Sequence, residues 1–301
     1  MSRLAKIEQA CVIGHLVAMA FGLAGLLLVM PHPEFLAHVP GGQTMFAWSM
    51  AGGGVVYILF GAIAVAMYAY RTLGLAGLIS FAVAAIAISL TSELLGTSTG
   101  FPFGNYSYLS GLGYKIAGLV PFTIPLSWFY LGLCSFVLAR EGLRRGGQAL
   151  TLGQNLGAIA LGAVLLTSWD FVLDPAMSQT AMPFWYWHEP GAFFGMPYQN
   201  FAGWFGTGVV FMAIAAGFWR RRVPVVRGSQ LNLPIVVYLG NIVFATVMSL
   251  GAGFWVPVLL GMVTGVFPAV VCWWAAQTPV APPQISSETV LEAPLPTSAS
   301  M

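Results

Sequence analysis

About eight apolar runs, each close to the ~20 residues that carry an α-helix across a hydrocarbon core, follow one another along this 301-residue chain and hold almost no charge. They fall at 9–30, 46–70, 73–95, 116–139, 154–173, 201–219, 233–250 and 254–276. A soluble domain needs a charged surface, and here 58% of residues are hydrophobic while only 7% are charged. The expectation is an all-α polytopic transmembrane helical bundle. Only Gly251, Ala252 and Gly253 separate the last two runs, and Pro257 interrupts the second, so seven spans stand as the alternative to eight.

With eight spans, the connections on one side carry Arg3, Lys6, Arg71, Arg140, Arg144, Arg145, Arg220, Arg221, Arg222 and Arg227, and those on the other carry Lys115 alone. That bias predicts a multi-pass protein of the bacterial or archaeal type of cytoplasmic membrane, with both termini in the cytoplasm. It also accounts for the net charge of +2 as topology. No basic patch interleaved with aromatics is present, which argues against nucleic acid as a partner. The first run continues through Leu28 without a break and reads as a retained helix instead of a cleaved signal. Residues 1–278 are expected to form one integral-membrane catalytic domain, and the Pro/Ser/Thr-rich stretch 279–301, with Glu288 and Glu292, a disordered cytoplasmic tail.

Against this background three acids stand out. Glu93 closes the third run, and Asp170 and Asp174 close the fifth, all toward the same expected face of the membrane. A carboxylate inside the bilayer costs roughly 2.5–3.5 kcal/mol on insertion scales, so three near one another point to use, with a hydrogen-bonded structural network as the bland alternative. Asp170 and Asp174 are four apart and share a helix face, with Pro175 expected to stop the helix. Two carboxyl groups this close titrate as a pair. Lys115, opening the fourth run, is either a counter-ion to the acids or an ordinary snorkelling residue. Two long connections on the same face, 91–108 and 177–200, are dense in aromatics and are read as lids, although Trp and Tyr also settle at membrane interfaces by default.

Buried acids and aromatic faces suit acid-catalysed addition to an alkene: a carboxylic acid protonates a trisubstituted double bond and aromatic faces stabilise the tertiary cation. The four histidines, His15, His32, His38 and His188, are too scattered for a di-iron hydroxylase. A single Asp pair, with the arginines on the opposite face, does not make the two Mg²⁺ sites of a prenyltransferase. Cys11, Cys134 and Cys272 lie far apart in apolar runs and read as packing residues. No metal and no cofactor are therefore expected. A carotenoid- or isoprenoid-binding membrane protein without catalysis, and a proton-coupled transporter, are the alternatives.

Four segments carry a resemblance. The stretch from Glu93 through Phe101-Pro-Phe-Gly-Asn-Tyr-Ser-Tyr108, Pro125-Leu-Ser-Trp-Phe129, Trp169-Asp-Phe-Val-Leu-Asp-Pro175, and Trp187 through Gly195-Met-Pro197 to Asn200-Phe-Ala-Gly-Trp204 together resemble the integral-membrane carotenoid hydratase family, from about Trp48 to Trp274. That family includes the γ-carotene 1′-hydratases and the bisanhydrobacterioruberin hydratases. The resemblance implies a cofactor-independent hydro-lyase that adds water to the terminal 1,2 double bond of an acyclic ψ end group and leaves a tertiary 1-hydroxy carotenoid. The partners implied are a membrane-embedded carotenoid, water, the lipid bilayer and other carotenoid biosynthesis enzymes, with γ-carotene, lycopene and related carotenoids all open as substrate. From placement, Asp170 or Asp174 is the expected proton donor and Glu93 the partner that orients water or tunes the donor. Tyr106, Trp128, Trp169 and Trp204 are expected to face the cation, and Asn105 and Asn200 to position water.

Overall fold

In a computed structural model the chain is a helical bundle, described over residues 3–144, 148–180, 182–220 and 223–277. The expected tail, 279–301, lies outside the described residues. The helices are α1 (Arg3–Ala24), prolonged by a π turn Gly25–Val29, α2 (Gly42–Thr99), α3 (Thr123–Gly142), α4 (Leu152–Ser178), α5 (Tyr198–Trp219), α6 (Asn232–Gly251), and α7 (Trp255–Gly261), which a π turn Met262–Val266 joins to α8 (Phe267–Ala275). Four short strands interrupt the connections: β1 (Tyr106–Tyr108), β2 (Lys115–Ile116), β3 (Val120–Pro121) and β4 (Trp185–Trp187).

Seven helical stretches among the described residues are long and apolar enough to cross a membrane. One of them, α2, is 58 residues long and is broken at Gly74, whose φ of 76° and ψ of 171° are not helical. On one straight helix Ile58 and Glu93 would stand about 50 Å apart at 1.5 Å per residue. Both line the same internal chamber, so the arms 42–73 and 75–99 fold back on each other as two rods. The bundle thus has eight rods, as the apolar runs predict. Arg71, beside the break, holds Glu8 of α1 through two hydrogen bonds of 2.8 and 2.9 Å, which fastens the turn to the first helix.

The rod α3 is the axis. It is buried along nearly its whole length, whereas α1 and α7–α8 expose most of theirs, and it packs against α2, α4, α6 and α8. The outer faces present Val17, Phe21, Val83, Val263 and Phe267 to the surroundings, an apolar surface suited to hydrocarbon. Some buried polar groups inside the bundle, such as the Tyr68 hydroxyl and the Trp169 Nε1, have no hydrogen-bond partner among the described residues, whereas others are matched. His15 is fully buried between the Tyr57 carbonyl, 2.7 Å from Nδ1, and the Asn241 amide, 3.0 Å from Nε2. A carbonyl only accepts, so the Nδ1 atom carries the proton and Nε2 accepts from Asn241, whose oxygen takes the Tyr130 hydroxyl at 3.0 Å. His15 is a structural residue.

Three boundaries differ from the sequence reading. The fourth rod starts at Thr123 and not at 116, because Ala117 and Gly118 take positive φ values of 52° and 73° and turn 115–121 into the β2–β3 hairpin. Pro125 then falls in the first helical turn, where its missing N–H costs nothing. Pro175 does not stop α4, which runs on to Ser178; the ring forfeits one backbone bond, and the Gln179 N–H returns to the Pro175 carbonyl at 3.1 Å. Pro257 lies in the first turn of α7 and does not interrupt the last rod.

No atom lies within 4 Å of a Cβ built on Gly74, so replacing it strains the backbone without a clash. Gly74→Ala should destabilise the purified protein by about 1–3 kcal/mol, the cost of forcing a side chain into a region of φ/ψ that is essentially glycine's own. A thermal unfolding series in detergent checks this.

Candidate active site

The three acids meet in one chamber of about 60 Å³, large enough for several water molecules, at the end of the bundle where α2, α4 and β1–β4 converge. Glu93, Asp170 and Asp174 are only 2–3% exposed. Helix backbone cannot serve them, since its N–H groups are spent on the helix itself. Their donors come from the two aromatic connections.

Those connections pair as a two-stranded antiparallel ribbon, with Tyr106 opposite Trp187 and Tyr108 opposite Trp185. Residues two apart on a strand share a face, so both tyrosines and both tryptophans project to one side. The tyrosines serve Glu93: its Oε2 accepts from the Tyr106 hydroxyl and from that of Tyr108 at 2.8 Å, while Oε1 accepts from Trp128 Nε1 of α3 at 2.9 Å. Both tryptophans serve Asp174, with Trp187 Nε1 2.9 Å from Oδ1 and Trp185 Nε1 3.0 Å from Oδ2; Ser178 Oγ, whose one proton is shared with the Asp174 main-chain carbonyl at 2.8 Å, lies 3.2 Å from Oδ1. Burial, and then the facing Glu93 carboxylate, push the Tyr106 and Tyr108 phenols well above the ordinary tyrosine value, so both rings are neutral donors.

Asp170 is treated differently. It shares the face of α4 with Asp174, and a single donor reaches it, Asn200 Nδ2 of α5, 2.7 Å from Oδ2. Oδ1 has no hydrogen-bonded partner among the described residues. The wall beside it is aromatic: the Trp128 and Trp204 rings stack at 3.9 Å with 17° between planes, and Trp169 meets Trp204 edge-on at 5.7 Å.

Of the ten residues singled out from sequence, eight line this chamber: Glu93, Tyr106, Trp128, Trp169, Asp170, Asp174, Asn200 and Trp204. Two do not. Lys115 pairs with no carboxylate among the described residues; its Nζ donates to the Tyr108 carbonyl at 2.5 Å and so props the β1 strand from behind. Asn105 accepts the His188 N–H at 2.9 Å on its carbonyl and prolongs the ribbon. Sequence reasoning passed over Tyr108, Trp185 and Trp187 as individual ligands of the acids. The signal was the repeated aromatic, any residue, aromatic pattern at 106–108 and 185–187, which is a strand period set inside a helical protein.

An all-helical bundle of membrane-crossing proportions, enclosing a carboxyl cluster walled with indoles and capped by an aromatic ribbon, is the class this structure defines. The chain belongs to the carotenoid biosynthesis protein family, whose model matches residues 53–268. A bisanhydrobacterioruberin hydratase from Haloarcula japonica is 38% identical to it over 130 residues, which cover 42% of this chain and 42% of the relative. The match thus spans less than half of that protein's length. No solved structure matches the chain.

Trp187 is buried and Trp185 only partly so. Trp187→Phe should therefore lower stability by about 1–3 kcal/mol, the cost of depriving a buried acceptor of its donor, and Trp185→Phe by less. Paired thermal unfolding curves of the two variants measure the difference.

Proposed function

We propose that this protein is a carotenoid hydratase that adds water to the terminal double bond of an acyclic ψ end group, as a cofactor-independent hydro-lyase. The observation that carries the reading is the unequal treatment of the three acids. Glu93 accepts three hydrogen bonds and Asp174 two from indoles, with a longer shared contact to Ser178, and both are held as acceptors, whereas Asp170 accepts one and keeps an oxygen for a proton. The named activity of the Haloarcula japonica relative and the family of the chain support the same chemistry.

In this mechanism the Asp170 carboxylic acid transfers its proton to C2 of the trisubstituted alkene, and the π electrons form the new C–H bond. Positive charge is left on C1, the more substituted carbon. The Trp128–Trp204 stack and the edge-on Trp169 ring offer π faces to that cation. The fixed Glu93 and Asp174 groups offer it negative charge in a site largely closed to bulk solvent, where neither has to reorient. A water molecule in the chamber bonds to C1 through oxygen, loses a proton to the Asp170 carboxylate, and leaves a tertiary alcohol with the acid restored. Asn200, bound to Asp170 Oδ2, is the residue that aims the carboxyl group. Glu93 thus acts on the cation's charge, and donor duty falls to Asp170 and not to Asp174.

The protein is further proposed to be a multi-pass membrane protein with both termini cytoplasmic, so that the substrate reaches the chamber from the bilayer. γ-Carotene, lycopene and related carotenoids with a free ψ end all meet the chemical requirement.

The test is expression in a host accumulating an acyclic carotenoid, grown in H₂¹⁸O, with pigments analysed by mass spectrometry. The expected product gains one water carrying the heavy oxygen, and Asp170→Asn lowers its formation by at least about 10²-fold, the lower range of a general acid's contribution. Oxygen drawn from O₂, or full activity in Asp170→Asn, would overturn the reading.

A further inference from the structure

Each of α3, α4 and α5 gives one end to the acid chamber and the other to a second cavity. On α3 the chamber residue is Trp128 and the far-end residue is Arg140, 12 positions on and about 18 Å along the axis. On α4 they are Asp170 and Asn155, and on α5 Trp204 and Trp219. The second cavity measures about 230 Å³, and its wall includes Arg140, Arg144 and Arg220.

These arginines are not all spent on the protein. Among the described residues Glu141 is the one carboxylate in contact with the group: it accepts from Arg140 Nη1 at 2.7 Å and from Arg144 at 2.5 and 3.2 Å. Arg144 also donates to the Gln148 carbonyl at 2.8 Å. Arg140 has its face over the Trp219 ring, 5.4 Å from the centroid, and uses Nη1 alone on Glu141, so its other N–H groups have no protein acceptor among the described residues. The side chains of Arg140 and Arg144 are only 7% and 4% exposed. Two buried guanidinium groups against one carboxylate leave one positive charge in surplus at the cavity wall, and Arg220 adds a third guanidinium at its exposed rim. Charges withdrawn from water in this way call for an anionic partner. Guanidinium forks match the geometry of phosphate oxygens, which take two parallel N–H bonds from each fork.

We propose that this cavity is a binding site for a phosphate-bearing anion, held by Arg140, Arg144 and Arg220, separate from the acid chamber and at the opposite end of the bundle. The same chemistry is offered by the headgroup of an anionic membrane lipid and by free phosphate. Only the lipid source rests on the membrane reading given above. The positive end of the bundle is the one expected to face the anionic leaflet.

The experiment uses the full chain in neutral detergent micelles, with thermal unfolding as readout. One arm mixes phosphatidylglycerol or, as control, zwitterionic phosphatidylcholine into the micelles; the other adds inorganic phosphate without lipid. Arg220→Gln, at an exposed position, and Arg140→Gln are run beside the native chain, so that the test survives if loss of Arg140 unfolds the protein by uncovering Glu141. The native chain should be stabilised in a saturable way in at least one arm, with affinity reduced about tenfold in Arg220→Gln, the loss of one charge-assisted contact. Stabilisation by phosphatidylglycerol alone assigns the site to a lipid headgroup, and stabilisation by inorganic phosphate alone assigns it to a soluble phosphate. No stabilisation in either arm, or equal affinity in the native chain and Arg220→Gln, overturns the proposal.

Discussion

Three carboxyl groups inside an apolar bundle need hydrogen-bond donors, and rods that spend their own N–H groups on helix cannot supply them. An unsatisfied buried polar group costs about 1–3 kcal/mol, more when it is charged, so the donors decide where the connections go. Tyr106 and Tyr108 reach Glu93 on the second arm of α2, and Trp185 and Trp187 reach Asp174 on α4. Because the two strands that carry these rings are hydrogen-bonded to each other, the ribbon ties the α2 hairpin to α4 across the mouth of the chamber. Trp128, on the axial rod α3, completes the Glu93 set from inside. Fold and site are one construction: without the acids the ribbon has nothing to cap, and without the ribbon the acids stand unpaired.

In the proposed function the same interaction sets up the chemistry. Donors are distributed unevenly, with three on Glu93, two indoles and a shared hydroxyl on Asp174 and one amide on Asp170, and in the proposed function this unevenness separates charge stabilisation from proton transfer. Hydration of an alkene needs that separation, because the donor must lose and regain a proton in every turnover while the groups that steady the cation stay as they are. Stacked indoles beside the lightly held acid put π faces where positive charge would form. Membership of the carotenoid biosynthesis protein family is consistent with the proposed chemistry.

Much of this was legible in the residues. Apolar runs marked out the eight rods, even across the continuous α2, because Arg71 and Thr72 separate two runs there, although the break itself falls at Gly74. The common address of Glu93, Asp170 and Asp174 followed from which ends of the runs they occupy. Local turn chemistry was harder to read: 115–121 is apolar enough to pass for helix, and only the positive φ of Ala117 and Gly118, invisible to hydropathy, makes it a hairpin. Pro175 reads as a stop, yet a proline near a helix end forfeits one bond while packing and the Ser178–Asp174 contact retain the last turn. Lys115 read equally as a counter-ion to the acids or as a snorkelling residue, and its ammonium is satisfied by a carbonyl on the back of the ribbon. Pairing between 106–108 and 185–187 is a contact between distant segments, and one-dimensional patterning hints at each strand without joining them.

The central claim is that Asp170 is the acid that carries the proton while Glu93 and Asp174 serve as acceptors. Infrared spectroscopy of the purified protein reads this without substrate, through the carbonyl stretch of a protonated carboxyl group that shifts on ¹³C labelling of aspartate. The account predicts one such band, absent in Asp170→Asn and retained in Glu93→Gln and Asp174→Asn. A band that survives in Asp170→Asn and disappears in either of the other two variants would contradict it.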